Sequence, residues 1–423
     1  MRCERLELAR ADEAPALVAR LRALAPARAE VAGRVAEILD AVRRGGDRAL
    51  RQYTSQLDLN GRPALPLRVE PEACERALAA LDGRVRAALE LAATNVRRVA
   101  EAGLGPEQQE VRFAGHRVVL REAPVERAAI YVPGGRAPYP STVVMGVVCA
   151  RAAGVRHIAV CSPPTADGEL HRAVLAACAL TQADAVYRVG GAQAIAALAY
   201  GTETVTAVDV IAGPGNLWVQ EAKRQVFGQV GIDGFAGPSD LLALADPSAE
   251  PEPLALDLLA QAEHGPGTLV LAASTGRELL GELAARIVPA AETGASCALI
   301  ELAETEQGVA LARAFAPEHL QLVGAASEAL AERITHAGCV FVGARAGTAF
   351  GDYIVGSNHV LPTDGAARFA SALNPQSFRR RFTEVRIDEP AALARAAAPL
   401  ARAEGFELHA RSMEARVSRE SGQ

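Results

Sequence analysis

Between about residues 127 and 342, short β-branched or apolar runs alternate with stretches of helical spacing. The first series of alternating segments comprises strands at 128–132, 157–161, 185–189 and 207–211 and helices at 141–153, 169–183, 192–200 and 217–227. The second comprises helices at 254–264, 277–287, 306–315 and 327–337 and strands at 268–271, 297–302, 319–323 and 339–342. Such alternation is typical of parallel sheets covered by helices. We therefore predict an α/β fold with two tandem, Rossmann-like, doubly wound sheets and a ligand cleft beyond the carboxyl ends of their strands.

Composition excludes several classes of protein. The 423 residues carry a formal net charge of -6 with both signs interspersed, so no basic stripe is present to bind nucleic acid. No apolar run approaches the roughly 18 residues that would cross a membrane. The seven cysteines lack C-x-x-C spacing, so we expect reduced thiols in a soluble, cytoplasmic protein. Lys223 is the only lysine and follows no glycine-rich loop, which disfavours Schiff-base and Walker-type mechanisms.

Four of the eight histidines lie in short polar motifs of the C-terminal half. These motifs are Gln261-Ala-Glu-His264, Glu318-His319, Asp352 with His359, and Glu404 with His409. Imidazole, carboxylate and amide oxygen together suit a borderline ion such as zinc. An adjacent carboxylate and imidazole also provide two general bases.

Three of these motifs also have a purely structural explanation. His264 can cap the carboxyl end of a helix, where the helix dipole favours it. Asp352 can stabilise a glycine-rich turn, and Glu318-His319 can form a solvated turn between a helix and a strand. The residues alone leave both explanations open.

Glycine-rich segments follow three strands of the first series. They are Tyr131-Val-Pro-Gly-Gly135, Gly190-Gly-Ala-Gln193 and Gly213-Pro-Gly-Asn216. Each places backbone N–H groups before a helix, where an anion can bind. None matches G-x-G-x-x-G, and a simple turn explains any one of them. Three at successive strand ends favour a nucleotide lying across the first sheet.

Together, and in this order, the motifs resemble those of the histidinol dehydrogenase family. The resemblance also includes Gly46-Asp47 to Asp58, Glu221-Ala-Lys-Arg-Gln-Val226, Ala236-Gly-Pro-Ser239, Ala316-Pro-Glu-His-Leu320 and Gly356-Ser-Asn-His-Val-Leu-Pro-Thr363. It covers nearly the whole chain. It implies a zinc-dependent, four-electron oxidation of L-histidinol to L-histidine through L-histidinaldehyde, with two NAD⁺ consumed.

The resemblance implies a role for each site residue. The implied catalytic pair is His319, which takes the alcohol proton, and Glu318, which activates water for the aldehyde step. The implied zinc ligands are Gln261, His264, Asp352 and His409, and the zinc is implied to hold the imidazole and amine of the substrate rather than to drive hydride transfer. The other implied substrate contacts are Ser239, His319, His359 and Glu404. The implied NAD contacts are Tyr131, Gln193 and Asn216.

The resemblance also implies roles for the parts of the chain. We expect an N-terminal helical element at 1–23, a metal and substrate domain at 24–130 and 240–373, and an NAD-binding domain at 131–239. We expect residues 374–423 to form a tail that contacts the partner of a homodimer and completes its zinc site. Three features depart from the family pattern: Asp240 stands where Glu is usual, residues 246–253 are proline-rich, and the tail motif is short.

Three alternative functions stay open from the sequence. A zinc hydrolase could use the same ligands, although four protein ligands leave less room for a catalytic water than the usual three. A metal-binding scaffold would have no turnover at all. A paralogue could oxidise another amino alcohol. Formation of NADH from histidinol separates the first two from a dehydrogenase.

Overall fold

The computed structural model describes residues 1, 3–23, 31–134, 137–234 and 237–417. Gly135 and Ala236, which belong to two of the motifs above, lie outside this part of the chain, as do residues 24–30 at a predicted domain boundary. The chain divides into a larger unit, Met1–Gly103 with Val125–Phe378, and a smaller unit, Leu104–Pro124 with Arg379–Gln423. None of the described helices is both long and apolar enough to span a membrane.

The secondary structure follows the alternation expected from the sequence. In chain order the strands are β1 (Cys3–Leu8), β2 (Gln108–Phe113), β3 (His116–Pro124), β4 (Arg127–Tyr131), β5 (His157–Ser162), β6 (Ala185–Arg188), β7 (Val210–Ala212), β8 (Gly231–Ile232), β9 (Asp240–Ala245), β10 (Leu269–Ser274), β11 (Ser296–Leu302), β12 (His319–Val323), β13 (Cys339–Val342) and β14 (Arg379–Ile387). The α-helices are α1 (Ala14–Arg22), α2 (Ala32–Tyr53), α3 (Pro71–Ala79), α4 (Gly83–Ala102), α5 (Pro140–Ala152), α6 (Arg172–Leu180), α7 (Gly191–Tyr200), α8 (Leu217–Val226), α9 (Pro251–Ala262), α10 (Arg277–Ile287), α11 (Gln307–Phe315), α12 (Ala325–Glu328), α13 (Ala349–Tyr353), α14 (Pro390–Ala403) and α15 (Glu407–Glu414).

The larger unit contains a five-stranded parallel sheet in the order β6-β5-β4-β7-β8. Its strands are apolar on both faces because helices cover both. In β4, Ala128 and Ile130 belong to the core beneath α3 to α6, while Ala129 and Tyr131 belong to the core beneath α2, α7 and α8. The prediction of a doubly wound α/β sheet is confirmed.

A second parallel sheet in the larger unit has six strands in the order β1-β11-β10-β9-β12-β13. Helices α1 and α11 pack on one face, and α9 and α10 pack on the other. The predicted helix at 327–337 is wrong, because this segment forms only the end of short α12 and a 3₁₀ turn at Ala331–Arg333. Strand β9 was not predicted, although it lies at the centre of the sheet and is fully buried.

The prediction that residues 1–23 form a helical element is wrong for Cys3–Leu8. Cys3–Leu8 is the edge strand β1, which pairs with β11 in parallel, and the helical part is confined to α1 and the short turn before it. From Arg5 to Leu8 charged and apolar side chains alternate, which suits a strand with Leu6 and Leu8 on a buried face. Its high charge conceals this pattern in the sequence.

The predicted grouping of 24–130 with 240–373 also differs from the packing. Helices α2, α3 and α4 cover the five-stranded sheet, and β4 is a strand of that sheet. Helical spacing shows that a helix has an apolar face but not which sheet that face covers. Only the tertiary structure assigns these helices to their partner.

The smaller unit contains an antiparallel sheet in the order β14-β3-β2 together with α14 and α15. The predicted helix at 390–403 is confirmed. The smaller unit differs from the predicted tail at 374–423 in two respects. Its C-terminal part begins at Arg379 rather than at residue 374, and Leu104–Pro124 also belongs to it. The arginine run at 379–381 opens β14, and a long-range antiparallel pairing of this kind leaves no local sequence signal.

Candidate active site

Glu318 and His319 lie where α11 gives way to β12. The helix ends at Phe315, Ala316 adopts a left-handed conformation with φ of 46°, and the strand begins at His319. His319 is paired with Leu241 of β9, so the pair lies beside Ser239 and Asp240 at the amino ends of two central strands. These candidate residues of the six-stranded sheet therefore lie at the amino ends of its strands and not beyond the carboxyl ends, where the sequence led us to expect a ligand cleft.

Three hydrogen bonds hold the Glu318 carboxylate and its backbone N–H. The Ser239 hydroxyl and the Asp240 N–H, the latter at 2.9 Å, both donate to Oε2 of Glu318. The Glu318 N–H donates in return to Oδ1 of Asp240 at 2.6 Å. Gln261 Nε2 donates to the Ser239 hydroxyl at 2.7 Å, which links the end of α9 to the same group. Burial raises the pKa of Glu318 above its ordinary value, as suits a carboxyl group that takes up a proton.

His319 is buried between two carboxylates. Its Nε2 lies 3.5 Å from Oδ1 of Asp352, and its Nδ1 lies 3.9 Å from Oε2 of Glu318. Nδ1 has no hydrogen-bond partner among the described residues. Burial alone would lower the pKa of His319, but Glu318 and Asp352 outweigh it and raise the pKa to about 9. The same contact with His319 lowers the pKa of Asp352 against the effect of burial.

Gln261 and His264 lie at the carboxyl end of α9. The His264 Nδ1–H donates to the Gln261 carbonyl oxygen at 3.0 Å, which fixes the imidazole ring. Metal-binding imidazoles commonly donate their other ring N–H to a carbonyl in this way. The bond also satisfies a carbonyl at a helix end, so the capping explanation of His264 holds as well.

Both ring nitrogens of His359 are bonded within the chain. Nδ1–H donates to the Asp352 backbone carbonyl at 2.9 Å, and Nε2 lies 3.1 Å from the Thr142 hydroxyl at the start of α5. Burial lowers the pKa of His359, which keeps the ring neutral and able to accept from Thr142. The geometry therefore gives His359 a role in holding Asp352, and its predicted contact with substrate stays a prediction.

The donor atoms in the larger unit suit zinc in kind. Gln261, His264 and Asp352 offer an amide oxygen, an imidazole and a carboxylate, and this set fits a borderline divalent ion. Contacts link Gln261 through Ser239 and Glu318 to the His319–Asp352 pair. No group of three or more His, Cys, Asp or Glu in the described ranges could hold a metal by itself. A complete site needs a further ligand.

Glu404 and His409 belong to the smaller unit. Glu404 follows the last residue of α14, and His409 lies in α15 with its ring stacked on Phe406 at a centroid distance of 5.0 Å. Both side chains are exposed. Their predicted contacts with zinc and substrate stay predictions.

The three predicted NAD residues lie at or just beyond the carboxyl ends of strands in the five-stranded sheet, as expected: Tyr131 is the last residue of β4, and Gln193 and Asn216 follow β6 and β7. The Tyr131 hydroxyl accepts the Gly191 N–H at 3.0 Å. Gln193 Nε2 donates to Asp58 at 3.1 Å, while its buried Oε1 has no partner within the described chain. The Asn216 side chain caps α8 by accepting two backbone N–H groups, so its structural explanation holds too.

Sequence reasoning missed two supports of this region. Asp58 accepts a hydrogen bond from Gln193, and burial raises the pKa of Asp58 to about 6. The two residues are 135 positions apart, so no local sequence pattern reveals their contact. Lys223 is buried in an ion pair with Asp233, and both side chains bond to the backbone of Gly213. Asp233 accepts the Gly213 N–H at 2.7 Å, and Lys223 donates to the Gly213 carbonyl at 3.0 Å. The only lysine thus shapes the glycine-rich turn before α8.

The fold has two parallel sheets. Glycine-rich turns lie at the carboxyl ends of one, and a buried carboxylate–imidazole pair lies at the amino ends of the other. These features define an α/β enzyme with acid–base chemistry. A family model for histidinol dehydrogenase matches residues 23–417. The histidinol dehydrogenases of Parasynechococcus marenigrum and Natronomonas pharaonis are each 44% identical, over 405 and 397 residues. These matches cover 92% and 90% of this chain and 92% of each relative.

The fold leads to the same family. The crystal structure of histidinol dehydrogenase from Elizabethkingia anophelis matches with a TM-score of 0.90 and 29% identity, covering 100% of this chain and 99% of that one. The chain belongs to the histidinol dehydrogenase family, which comprises NAD-dependent oxidoreductases of histidine biosynthesis. The resemblance stated from the sequence motifs is confirmed.

Proposed function

We propose that this chain oxidises L-histidinol to L-histidine in two steps, each of which reduces one NAD⁺. In the first, the alcohol carbon gives a hydride to NAD⁺ and its hydroxyl proton to neutral His319, which yields histidinaldehyde. Zinc held by Asp352 would offset one of the two carboxylates that raise the pKa of His319 and so favour the neutral ring. In the second, water adds to the aldehyde, and the hydrate gives a second hydride to NAD⁺ and a proton to His319. The observation that carries the proposal is the buried Glu318–His319 pair beside Ser239.

Glu318 is the group that activates water for the second step. Its Oε2 is held by Ser239 and Asp240, so the carboxylate is fixed before substrate binds. Its raised pKa improves it as an acceptor for the proton of water. Because the alcohol step needs no water, Glu318 is required mainly for the aldehyde step.

A covalent route through a thiol is disfavoured by the cysteines near the five-stranded sheet. Cys161 is fully buried and donates to the Val189 carbonyl at 3.1 Å, and burial raises its pKa far above the ordinary value. Burial raises the pKa of Cys149 to about 12. Neither forms the thiolate that a thiohemiacetal requires at neutral pH.

We therefore expect Cys161→Ala and Cys149→Ala each to keep most of their aldehyde oxidation, measured as NADH formed from supplied histidinaldehyde. A matched alcohol oxidation assay on each variant controls for general loss of the fold. Selective loss of the aldehyde step in either variant, with circular dichroism unchanged, would establish a thiol intermediate instead.

Gln261, His264 and Asp352 would hold zinc together with the partner's His409. Bound zinc would hold the imidazole and amine of histidinol and so orient the reacting carbon. Ser239, His359 and Glu404 complete the proposed substrate contacts. NAD would lie along Tyr131, Gln193 and Asn216 at the carboxyl ends of the other sheet, where two cosubstrate molecules can exchange in turn.

A homodimer is supported by one face of the smaller unit's sheet. Side chains that the register places on the same face are apolar and 39–57% exposed in the single chain: Val111, Phe113, Leu120, Val385 and Ile387. A contiguous apolar patch of this kind marks a contact surface. We propose that a second copy covers it in a cytoplasmic dimer, with the tail of each chain completing the partner's site.

The test is an absorbance assay for NADH with L-histidinol as substrate. We expect two NADH for each histidinol consumed, loss of turnover after chelation and recovery with zinc. Amino alcohols that lack an imidazole are assayed as controls, because faster oxidation of one of them would indicate a paralogue with a different substrate. No NADH from histidinol, with hydrolysis of another substrate, would support a zinc hydrolase instead.

A further inference from the structure

Arg22, the last residue of α1, connects the N-terminal segment to the amino end of β9. Its Nη1 donates to Oδ2 of Asp240 at 2.8 Å, and its Nη2 donates to the Phe315 carbonyl at 2.6 Å. The guanidinium also lies over the Phe315 ring, 4.1 Å from the centroid. Two hydrogen bonds and a stacked ring therefore fix this side chain, which is only 17% exposed.

Asp240 joins Arg22 to the proposed water-activating group. It is fully buried, at 0% exposure, and its two carboxylate oxygens have different partners. Oδ2 accepts from Arg22, while Oδ1 accepts the Glu318 N–H, and the Asp240 N–H donates to Oε2 of Glu318. Asp240 thus holds Glu318 at both its backbone and its carboxylate.

Without Arg22 this arrangement would be unstable. A buried carboxylate that loses its cation is strongly disfavoured in the ionised form, and it either takes up a proton or moves toward water. A proton on Oδ1 would weaken this atom as the acceptor for the Glu318 N–H, and movement of the side-chain carboxylate would break the same bond and release the backbone that carries the Glu318 side chain. Either change shifts the Glu318 carboxylate.

We propose that Arg22 is a positioning residue for aldehyde oxidation, acting through Asp240 to hold the Glu318 carboxylate where it activates water. The inference rests on the proposed function, in which Glu318 serves the second step. Arg22 touches neither substrate nor cosubstrate in this role. Its contribution is therefore measured by the ratio of the aldehyde and alcohol oxidation rates rather than by overall turnover alone.

The experiment compares Arg22→Met with wild type, using histidinol and supplied histidinaldehyde as separate substrates in the holoenzyme. Because a misplaced catalytic group costs up to about 100-fold, we expect aldehyde oxidation to fall roughly tenfold to 100-fold more than alcohol oxidation. Asp364→Asn is the matched control, because Asp364 lies 3.6 Å from the same Arg22 nitrogen but at an exposed position. Its ratio of the two rates should equal that of wild type.

Arg22→Lys keeps a cation for Asp240 but cannot span both Asp240 and the Phe315 carbonyl. We expect the ratio to shift in the same direction by a smaller factor. If Arg22→Met does not fold, the lysine variant decides the question, and an unchanged ratio in it overturns the proposal. Equal losses of both half-reactions in a folded Arg22→Met, which a purely structural role predicts, would overturn it as well.

A Glu318→Gln background separates this inference from the proposed function. If Arg22 acts through Glu318, adding Arg22→Met to Glu318→Gln should cause little further loss of aldehyde oxidation. Full additivity would contradict the coupling. If Glu318→Gln alone slows both steps equally, the proposed role of Glu318 is refuted. If Glu318→Gln slows mainly the aldehyde step but Arg22→Met leaves the ratio of aldehyde to alcohol oxidation unchanged, only the role of Arg22 is refuted.

Discussion

Glu318→Gln will oxidise supplied histidinaldehyde about 10²- to 10⁴-fold more slowly than wild type, the range typical for loss of a general base. Its alcohol oxidation will suffer much less. The amide keeps the size of the carboxyl group and can still accept hydrogen bonds from Ser239 and Asp240 through its oxygen, but it cannot take a proton from water. The measurement is NADH formation from each substrate in separate single-turnover experiments.

His319→Asn is the matched comparison for this prediction. Both half-reactions release an O–H proton as hydride leaves, and His319 is the proposed acceptor in each, so both rates should fall. The two variants, at adjacent residues, should therefore differ in which half-reactions they slow: Glu318→Gln mainly the aldehyde step, and His319→Asn both steps. Equal losses in both half-reactions for Glu318→Gln would contradict the assignment of water activation to this carboxylate.

Mixing two inactive variants should regenerate activity if the zinc site is shared between chains. Asp352→Ala and His409→Ala should each be inactive alone, because each removes a proposed zinc ligand. After the two are unfolded and refolded together, random pairing makes about half of the dimers mixed, and each mixed dimer has one intact site of two. Recovery should therefore approach roughly a quarter of wild-type activity.

The control for this experiment is wild-type protein taken through the same unfolding and refolding, which sets the full recovery. Mixed dimers are verified with two affinity tags, one on each variant. If His409 served its own chain, both sites of every mixed dimer would carry a lesion. An absence of recovery in verified mixed dimers would refute the shared site.

Regular elements with strong periodicity were accessible from the sequence. The helix at Arg277–Ile287 and the strand at His319–Val323 were predicted with the bounds that the structure has, because each has an apolar pattern ended by glycine or proline nearby. Strand β1 escaped prediction because its charged residues concealed a period of two. Strand β14 escaped it because its antiparallel pairing with distant β3 has no local signature, whereas β2 and β3 form a hairpin across Ala114-Gly115 whose local turn signal was missed.

The order of the motifs by itself determined the family and the identity of the candidate site residues, because functional groups of fixed chemistry recur in short, local stretches. Only the tertiary structure decided that Glu318 and His319 lie at the amino end of their sheet, beside Asp240. It also decided that Asp240, 218 residues from Arg22 along the chain, is paired with that arginine. Sheet order and helix packing bring such residues together, and a buried carboxylate takes whichever cation the fold places within reach.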